Sequence, residues 1–271
     1  MVEYRKEFVF IRQEELHMKL TVQPVMRGVY RFCEDNPEAP VDAYLVVGSH
    51  SALMIDALES VSGVWDEVRK ITQLPVALAV THGHCDHAGK ALDEFVQAGC
   101  TVYMDPADVE PLMQTSGRAV DPGWFVPFPD AIDLGGVQLE VLSVEGHTRG
   151  SKVFLDRERA LLFTGDAVGS GDFWMQLSHS APLGRFVEQL DGLMAKVAGL
   201  HDLAILPGHA YQQPRPLGFF YLWDVLTACR MVLEGRADRE DKVMKLGDEE
   251  LVYRTIGHGS LGCMCYDPYK L

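Results

Sequence analysis

Short apolar runs divided by turn signals dominate the first three-quarters of the chain, and few stretches hold one periodicity for long. Residues 20–32 read as extended, with Gly28 as a candidate bulge, and residues 44–47 and 52–55 as a hairpin about Gly48-Ser49-His50. Residues 60–71 place Val64, Trp65, Val68 and Ile71 at helical spacing, with Ser60 as the expected cap. Residues 76–80 are wholly apolar, the pattern of a buried strand, and end at Thr81. A predicted helix at 90–97 and a strand at 101–104 come next. Strands are then expected at 137–144, 152–155 and 160–164, a helix at 186–197, and a buried strand at 203–206 that runs into Pro207-Gly208-His209.

The pattern changes after residue 211. Residues 217–233 are apolar and aromatic-rich at helical spacing, and the tail beyond Gly235 is polar as far as Gly257-His258-Gly259. With no internal repeat and no Gly/Ser- or Pro-rich linker, residues 1–271 read as one domain. Its core covers about residues 20–211, and residues 212–271 read as a helical appendage.

Composition narrows the function classes. A chain of 271 residues with 47% hydrophobic and 23% charged residues can bury a sizeable core and is ordinary for a globular protein. Its 24 basic and 39 acidic residues give a net charge of −15, a field that repels phosphate backbones and anionic membrane surfaces. Neither nucleic acid nor membrane is therefore expected as a partner; a small-molecule substrate is. The first residues lack a signal-peptide core, the longest apolar runs are too short to span a bilayer, and the six cysteines are dispersed. Reduced thiols and a cytoplasmic location are the expectation.

Chemistry concentrates in one run, His82-Gly83-His84-Cys85-Asp86-His87, immediately beyond the strand predicted at 76–80. Random composition would produce such a run on the order of once per thousand chains of this length. Residues at i and i+2 of a loop can converge on one ion while Asp86 and His87 turn toward another, and imidazole and carboxylate suit zinc and are accepted by iron and manganese. Four ligands in six residues exceed what one catalytic zinc takes from a protein, so further ligands are expected at other strand ends. His147, Asp166 and His209 qualify, each directly after a predicted strand and each preceded by a glycine that lets the backbone turn sharply.

The ordered motifs THGHCDHAG, GHTRGS, LLFTGD and PGH resemble those of the metallo-β-lactamase superfamily, in the branch that includes glyoxalase II and lactone hydrolases; the resemblance covers residues 20–209. It implies an α/β fold, an αββα four-layer sandwich with the metal site along one edge. It also implies a ligand set: His82, His84 and His147 for one divalent ion, Asp86, His87 and His209 for a second, and Asp166 bridging. Two departures stand out. Arg149 occupies a position where many relatives have proline, and Ile55-Asp56-Ala57-Leu58 lacks the glycine that relatives place after this early motif. Two ions about 3.5–4 Å apart would share a hydroxide as nucleophile, with Asp86 as the catalytic carboxylate that orients it.

The function expected is hydrolysis of a carbonyl substrate (thioester, lactone or amide) with two divalent ions, zinc foremost. An iron-dependent sulfur dioxygenase-like oxidoreductase and a phosphodiesterase are the alternatives. Outside the ligand set, His17, His50 and His201 read as surface or turn residues, and His179 and His258 as candidates to line the cleft. Cys85 reads as a small buried residue, and Cys263 and Cys265 as ordinary thiols. Trp124, Phe125, Phe128, Phe173 and Trp174 form a candidate apolar lid, and the stripe within 217–233 reads as packing, with a homodimer surface as the second option.

Overall fold

Hydrophobic alternation in the N-terminal third builds a mixed sheet. The structure, a computed structural model, describes residues 19–35, 40–169, 171–210, 217–237, 240–246, 249–257 and 263–271. Strands β1 (Lys19–Met26), β2 (Val29–Asp35), β3 (Val41–Val47) and β4 (Ala52–Ile55) pair antiparallel in sequence order. After α1 (Val64–Ile71), β5 (Val76–Ala79) adds parallel to β4. Helix α2 (Lys90–Gln97), β6 (Val102–Tyr103), α3 (Val109–Ser116) and β7 (Phe125–Val126) complete a seven-stranded sheet.

A second sheet follows in the order β13-β11-β10-β9-β8. It contains β8 (Ala131–Asp133), β9 (Gln138–Ser143), β10 (Lys152–Asp156), β11 (Leu161–Gly165) and, beyond β12 (Phe173–Met175) and α4 (Leu183–Val197), β13 (Ala204–Pro207). Only β11 and β13 are parallel within it. Helix α5 (Phe219–Leu233) precedes β14 (Lys242–Leu246), β15 (Glu249–Gly257) and β16 (Cys263–Tyr266), which join β12 in a third sheet ordered β12-β16-β15-β14.

Packing fixes the layers. Tyr44, Val46, Leu53 and Ile55 of the first sheet meet Ile132, Leu139, Phe154 and Phe163 of the second in a buried cluster between the sheets. The opposite face of the first sheet is covered by Val64 and Val68 of α1, Leu92 and Phe95 of α2, and Leu112 of α3. Phe186 and Leu190 of α4, with Leu222 and Val225 of α5, cover the outer face of the second. Each large side chain so buried contributes roughly 1.5–3 kcal/mol relative to exposure. The result is the expected αββα four-layer sandwich.

Several local expectations change. Gly28, with φ of 76°, lies in the tight turn between β1 and β2, and the register irregularity falls at Pro24/Met26 instead. Helix α1 starts at Val64, not Ser60, because the Glu94 carboxylate of α2 accepts the Gly63 and Trp65 N–H groups. The Ser60 N–H is held by the buried Glu34 carboxylate. A C-terminal helix forms where expected, as α5, but the polar tail after it supplies three strands. The apolar stripe of α5 is mostly packing: Tyr221, Leu222, Val225, Leu226, Cys229 and Val232 are buried, whereas Phe220 and Trp223 are exposed.

The aromatic residues expected to form a lid are dispersed through the packing. Phe173 is buried against Phe186 with ring centroids 5.1 Å apart, Phe128 stacks on Tyr103 at 5.7 Å, and Phe125 lies in β7. The departure at Ile55-Asp56-Ala57-Leu58 carries backbone strain: Asp56 and Leu58 adopt φ of 66° and 57°, a conformation that costs a non-glycine residue about 1–2 kcal/mol. The Leu58 side chain is fully buried, which offsets a cost of that size.

Candidate metal centre

Strand ends position every ligand candidate. The loop from His82 to His87 joins β5 to α2, His147 follows β9, Asp166 follows β11 and His209 follows β13. The first sheet thus supplies His82, His84, Asp86 and His87, and the second supplies His147, Asp166 and His209.

All seven converge in two adjoining groups. In the first, His82 Nε2 and His147 Nε2 lie 3.0 and 2.9 Å from His84 Nδ1. In the second, His209 Nε2 is 3.3 Å from both Asp86 Oδ2 and Asp166 Oδ2, and His87 Nε2 is 3.5 Å from Asp166 Oδ1. Within each group the donor atoms lie within 4.8 Å of one another. Asp166 Oδ2 is also 3.9 Å from His147 Nε2, so one carboxylate faces both groups.

The outer nitrogens of four of the five histidines meet oxygen acceptors. The Thr81 hydroxyl donates to Asp56 Oδ2 at 2.9 Å, so its oxygen accepts from His82 Nδ1 at 3.0 Å. His87 Nδ1 donates to Asp56 Oδ2 at 2.9 Å, His147 Nδ1 to the Trp174 carbonyl at 2.7 Å, and His209 Nδ1 to the Pro40 carbonyl at 2.8 Å. Each bond holds a proton on the outer nitrogen, so the inner nitrogen is the one left to bind an ion, the arrangement that orients a metal-binding imidazole.

Electrostatics differ between the groups. Burial, reinforced by neighbouring imidazoles, holds His82 and His84 well below the usual imidazole range; burial also lowers His147. Burial would lower His87 and His209 too, but the charges of Asp86 and Asp166 outweigh it and hold both well above that range. Against the cost of their own burial, Asp86 and Asp166 are kept ionised below the usual carboxylate range by His87 and His209. In the metal-free protein the first group is therefore neutral and the second carries protons that an incoming ion must displace. Ion affinity at the second group is expected to rise more steeply with pH than at the first, between about pH 6 and 8. Competition titrations against a chelator check this; equal pH slopes would contradict it.

The residues fit bound cations. His87 Nε2 and Asp166 Oδ1 are buried without a hydrogen-bond partner and face each other at 3.5 Å, a costly arrangement that a cation displacing the imidazole proton would relieve by taking both as donors. A Cβ at Gly208 would overlap His87 and Asp166, so the chain passes close beside the second group only because it lacks a side chain there.

Three supporting residues had no place in the sequence-derived ligand set. Asp56 orients His87 directly and His82 through Thr81. Asp108, fully buried, accepts from Gly83 N and Thr148 Oγ1 through Oδ2 and from Gly150 N through Oδ1, at 2.8, 2.6 and 2.8 Å, and so ties the two loops that carry the first group. His179 Nε2 lies 2.5 Å from His84 Nε2, which places this cleft candidate against a ligand. Burial, with His147 and Lys270 nearby, lowers the His179 imidazole to about 4.

The remaining candidates stand apart. His50 and His201 are exposed, as is Arg149, and Cys85 is half-buried outside both donor groups. Burial raises the Cys85 thiol to about 11. Cys263 Sγ lies 3.4 Å from Asp172 Oδ1, and the pair with Cys265 belongs to neither group of metal-ligand geometry found among the described residues. His17 and His258 lie outside the described residues.

An αββα sandwich with a seven-residue His/Asp centre at its strand ends defines a class of metal-dependent hydrolase. Residues 36–209 match the family model of the metallo-β-lactamase superfamily, and the chain belongs to that family. It is 30% identical over 230 residues to an acyl-coenzyme A thioesterase, MBLAC2, of Gallus gallus, covering 69% of this chain and 79% of that one. A hydroxyacylglutathione hydrolase, GloC, of Haemophilus influenzae is 28% identical over 163 residues, covering 52% of this chain and 73% of that protein. The solved structure of a metallo-β-lactamase from Pontibacter korlensis superposes with a TM-score of 0.62 at 19% identity, over 78% of this chain and 99% of that one, a likeness of fold.

Proposed function

We propose that the protein is a dinuclear, zinc-dependent hydrolase that cleaves a small thioester. The observation that carries the reading is the bipartite donor set: His82, His84 and His147 on one side, Asp86, His87 and His209 on the other, and Asp166 facing both. Thioester, among the carbonyl substrates, is favoured by the thioesterase and the hydroxyacylglutathione hydrolase among the relatives.

Two divalent ions held by these residues would supply Lewis acidity for the carbonyl and bring the pKa of a coordinated water toward neutrality. The protein's own groups do the rest. Asp86, with its side chain 27% exposed against 12% for Asp166, is the carboxylate open to the cleft. It orients the attacking water and takes up its proton as the carbonyl carbon is attacked. Asp56, Thr81, Trp174 O and Pro40 O hold four imidazoles in one orientation, so little rearrangement accompanies the reaction. All six cysteines are free thiols, which supports a reducing, cytoplasmic setting; no helix among the described residues is long and apolar enough to cross a membrane.

Metal quantification on the purified protein, coupled to a panel of acyl-coenzyme A and S-acylglutathione thioesters, lactones, β-lactams and phosphodiesters, tests the proposal. Two equivalents of zinc and turnover confined to thioesters are expected. Iron at one equivalent with oxygen uptake on a persulfide would replace the hydrolase by the oxidoreductase, and turnover only of phosphodiesters would overturn the substrate class.

A further inference from the structure

His84 differs from the other four ligand histidines. They point Nε2 inward and bind an oxygen acceptor through Nδ1, whereas His84 turns Nδ1 toward His82 and His147 and sends Nε2 outward. There it meets the imidazole of His179, Nε2 to Nε2 at 2.5 Å, with ring centroids 4.7 Å apart and planes at 69°. For His84 Nδ1 to offer a lone pair, its Nε2 must carry the proton, and His179 Nε2 must accept it. The His179 proton is then on Nδ1, a buried atom with no partner. An apolar residue would avoid that buried orphan, so the contact with His84 is what the imidazole contributes here.

The segment carrying His179 is fastened from two sides. Toward the site, Ser180 Oγ donates to the His147 carbonyl at 2.9 Å and Ala181 N to the Gly146 carbonyl at 2.8 Å. From the third sheet's side, Lys270 Nζ donates to the Leu177 and Ser178 carbonyls at 3.0 and 2.9 Å, and Leu183 N donates to the Lys270 carbonyl at 2.9 Å. The neighbouring strand β12, whose Trp174 carbonyl orients His147, pairs with β16 through Trp174 and Cys265.

We propose that His179 is a positioning residue for the first ion: it accepts the His84 Nε2–H, fixes the tautomer that frees Nδ1, and is held in place by Lys270. This rests on the dinuclear reading above and assigns a task to the segment after β16. His179 lies outside the four motifs that carry the family resemblance.

Chelator-competition titrations of metal-free protein with zinc alone, on the wild type and on His179→Leu, His179→Gln and Lys270→Met, test it without recourse to turnover. Losing the acceptor in His179→Leu should weaken first-ion binding about 10–100-fold, the usual effect of removing a ligand's outer partner. His179→Gln, whose amide oxygen can accept, should stay within about threefold of wild type, Lys270→Met should fall between, and second-ion affinity should hold in all three. Circular dichroism confirms that each variant is folded; should the leucine variant not fold, the ordering of wild type, glutamine and methionine variants carries the test. First-ion affinity unchanged in His179→Leu, or equally weak binding in folded leucine and glutamine variants, overturns the inference while leaving the dinuclear reading intact. A wild-type chain that takes up no zinc overturns that reading instead.

Discussion

Replacing Asp166 by alanine is expected to abolish turnover, by at least about a thousandfold, and to drop the metal content from two equivalents to one or fewer. The reasoning is geometric. Asp166 faces both groups, with Oδ2 3.3 Å from His209 Nε2 and 3.9 Å from His147 Nε2, and Oδ1 3.5 Å from His87 Nε2. Its loss would remove a donor from each proposed ion and leave His209 facing Asp86, and His87 facing Asp86 and Asp56. Losing a single electrostatic stabiliser of a transition state typically costs about 10²–10³ in rate, and here the means of holding an ion goes with it. Metal analysis and turnover on the best thioester check the result; full activity in a metal-free Asp166→Ala protein would refute the proposed chemistry.

The second large effect falls on stability. Asp108→Ala is expected to destabilise the fold by about 2–5 kcal/mol, since it strands two buried backbone donors, Gly83 N and Gly150 N, at about 1–3 kcal/mol each before relaxation, and leaves the Thr148 hydroxyl only Ser151 Oγ as partner. Urea denaturation should show a lowered midpoint with an unchanged slope. Because the same carboxylate joins the His82–His87 loop to the His147 loop, affinity for the first ion should fall alongside. A midpoint within error of wild type would show that water replaces the carboxylate at no cost.

The seven donors that converge were legible because four lie in one contiguous loop and the other three obey a local rule, a glycine and then the candidate ligand at the end of an apolar run. The central strands and helices α2, α4 and α5 were legible for a related reason: their burial is one-sided or complete, so the pattern of apolar positions survives in the sequence. Where burial is partial on both faces, as in the half-buried residues of β15, no alternation remains to be read. The onset of α1 was misplaced because its cap comes from Glu94, about thirty residues further on. Asp108 and His179 are single polar residues whose partners are chosen only when separate loops pack together. Nothing within a few positions of either marks the contact.

One consequence of the split origin of the proposed ligands reaches beyond catalysis. His82, His84, Asp86 and His87 hang from one sheet and His147, Asp166 and His209 from the other, so an ion held by them rivets the two halves of the sandwich together. Unfolding cannot separate the halves without releasing it, and thermodynamic linkage then adds about 4 kcal/mol of stability per site at a free-ion concentration a thousand times the dissociation constant. Chelation should therefore loosen the whole molecule, and its melting temperature becomes a gauge of how much metal the surroundings provide.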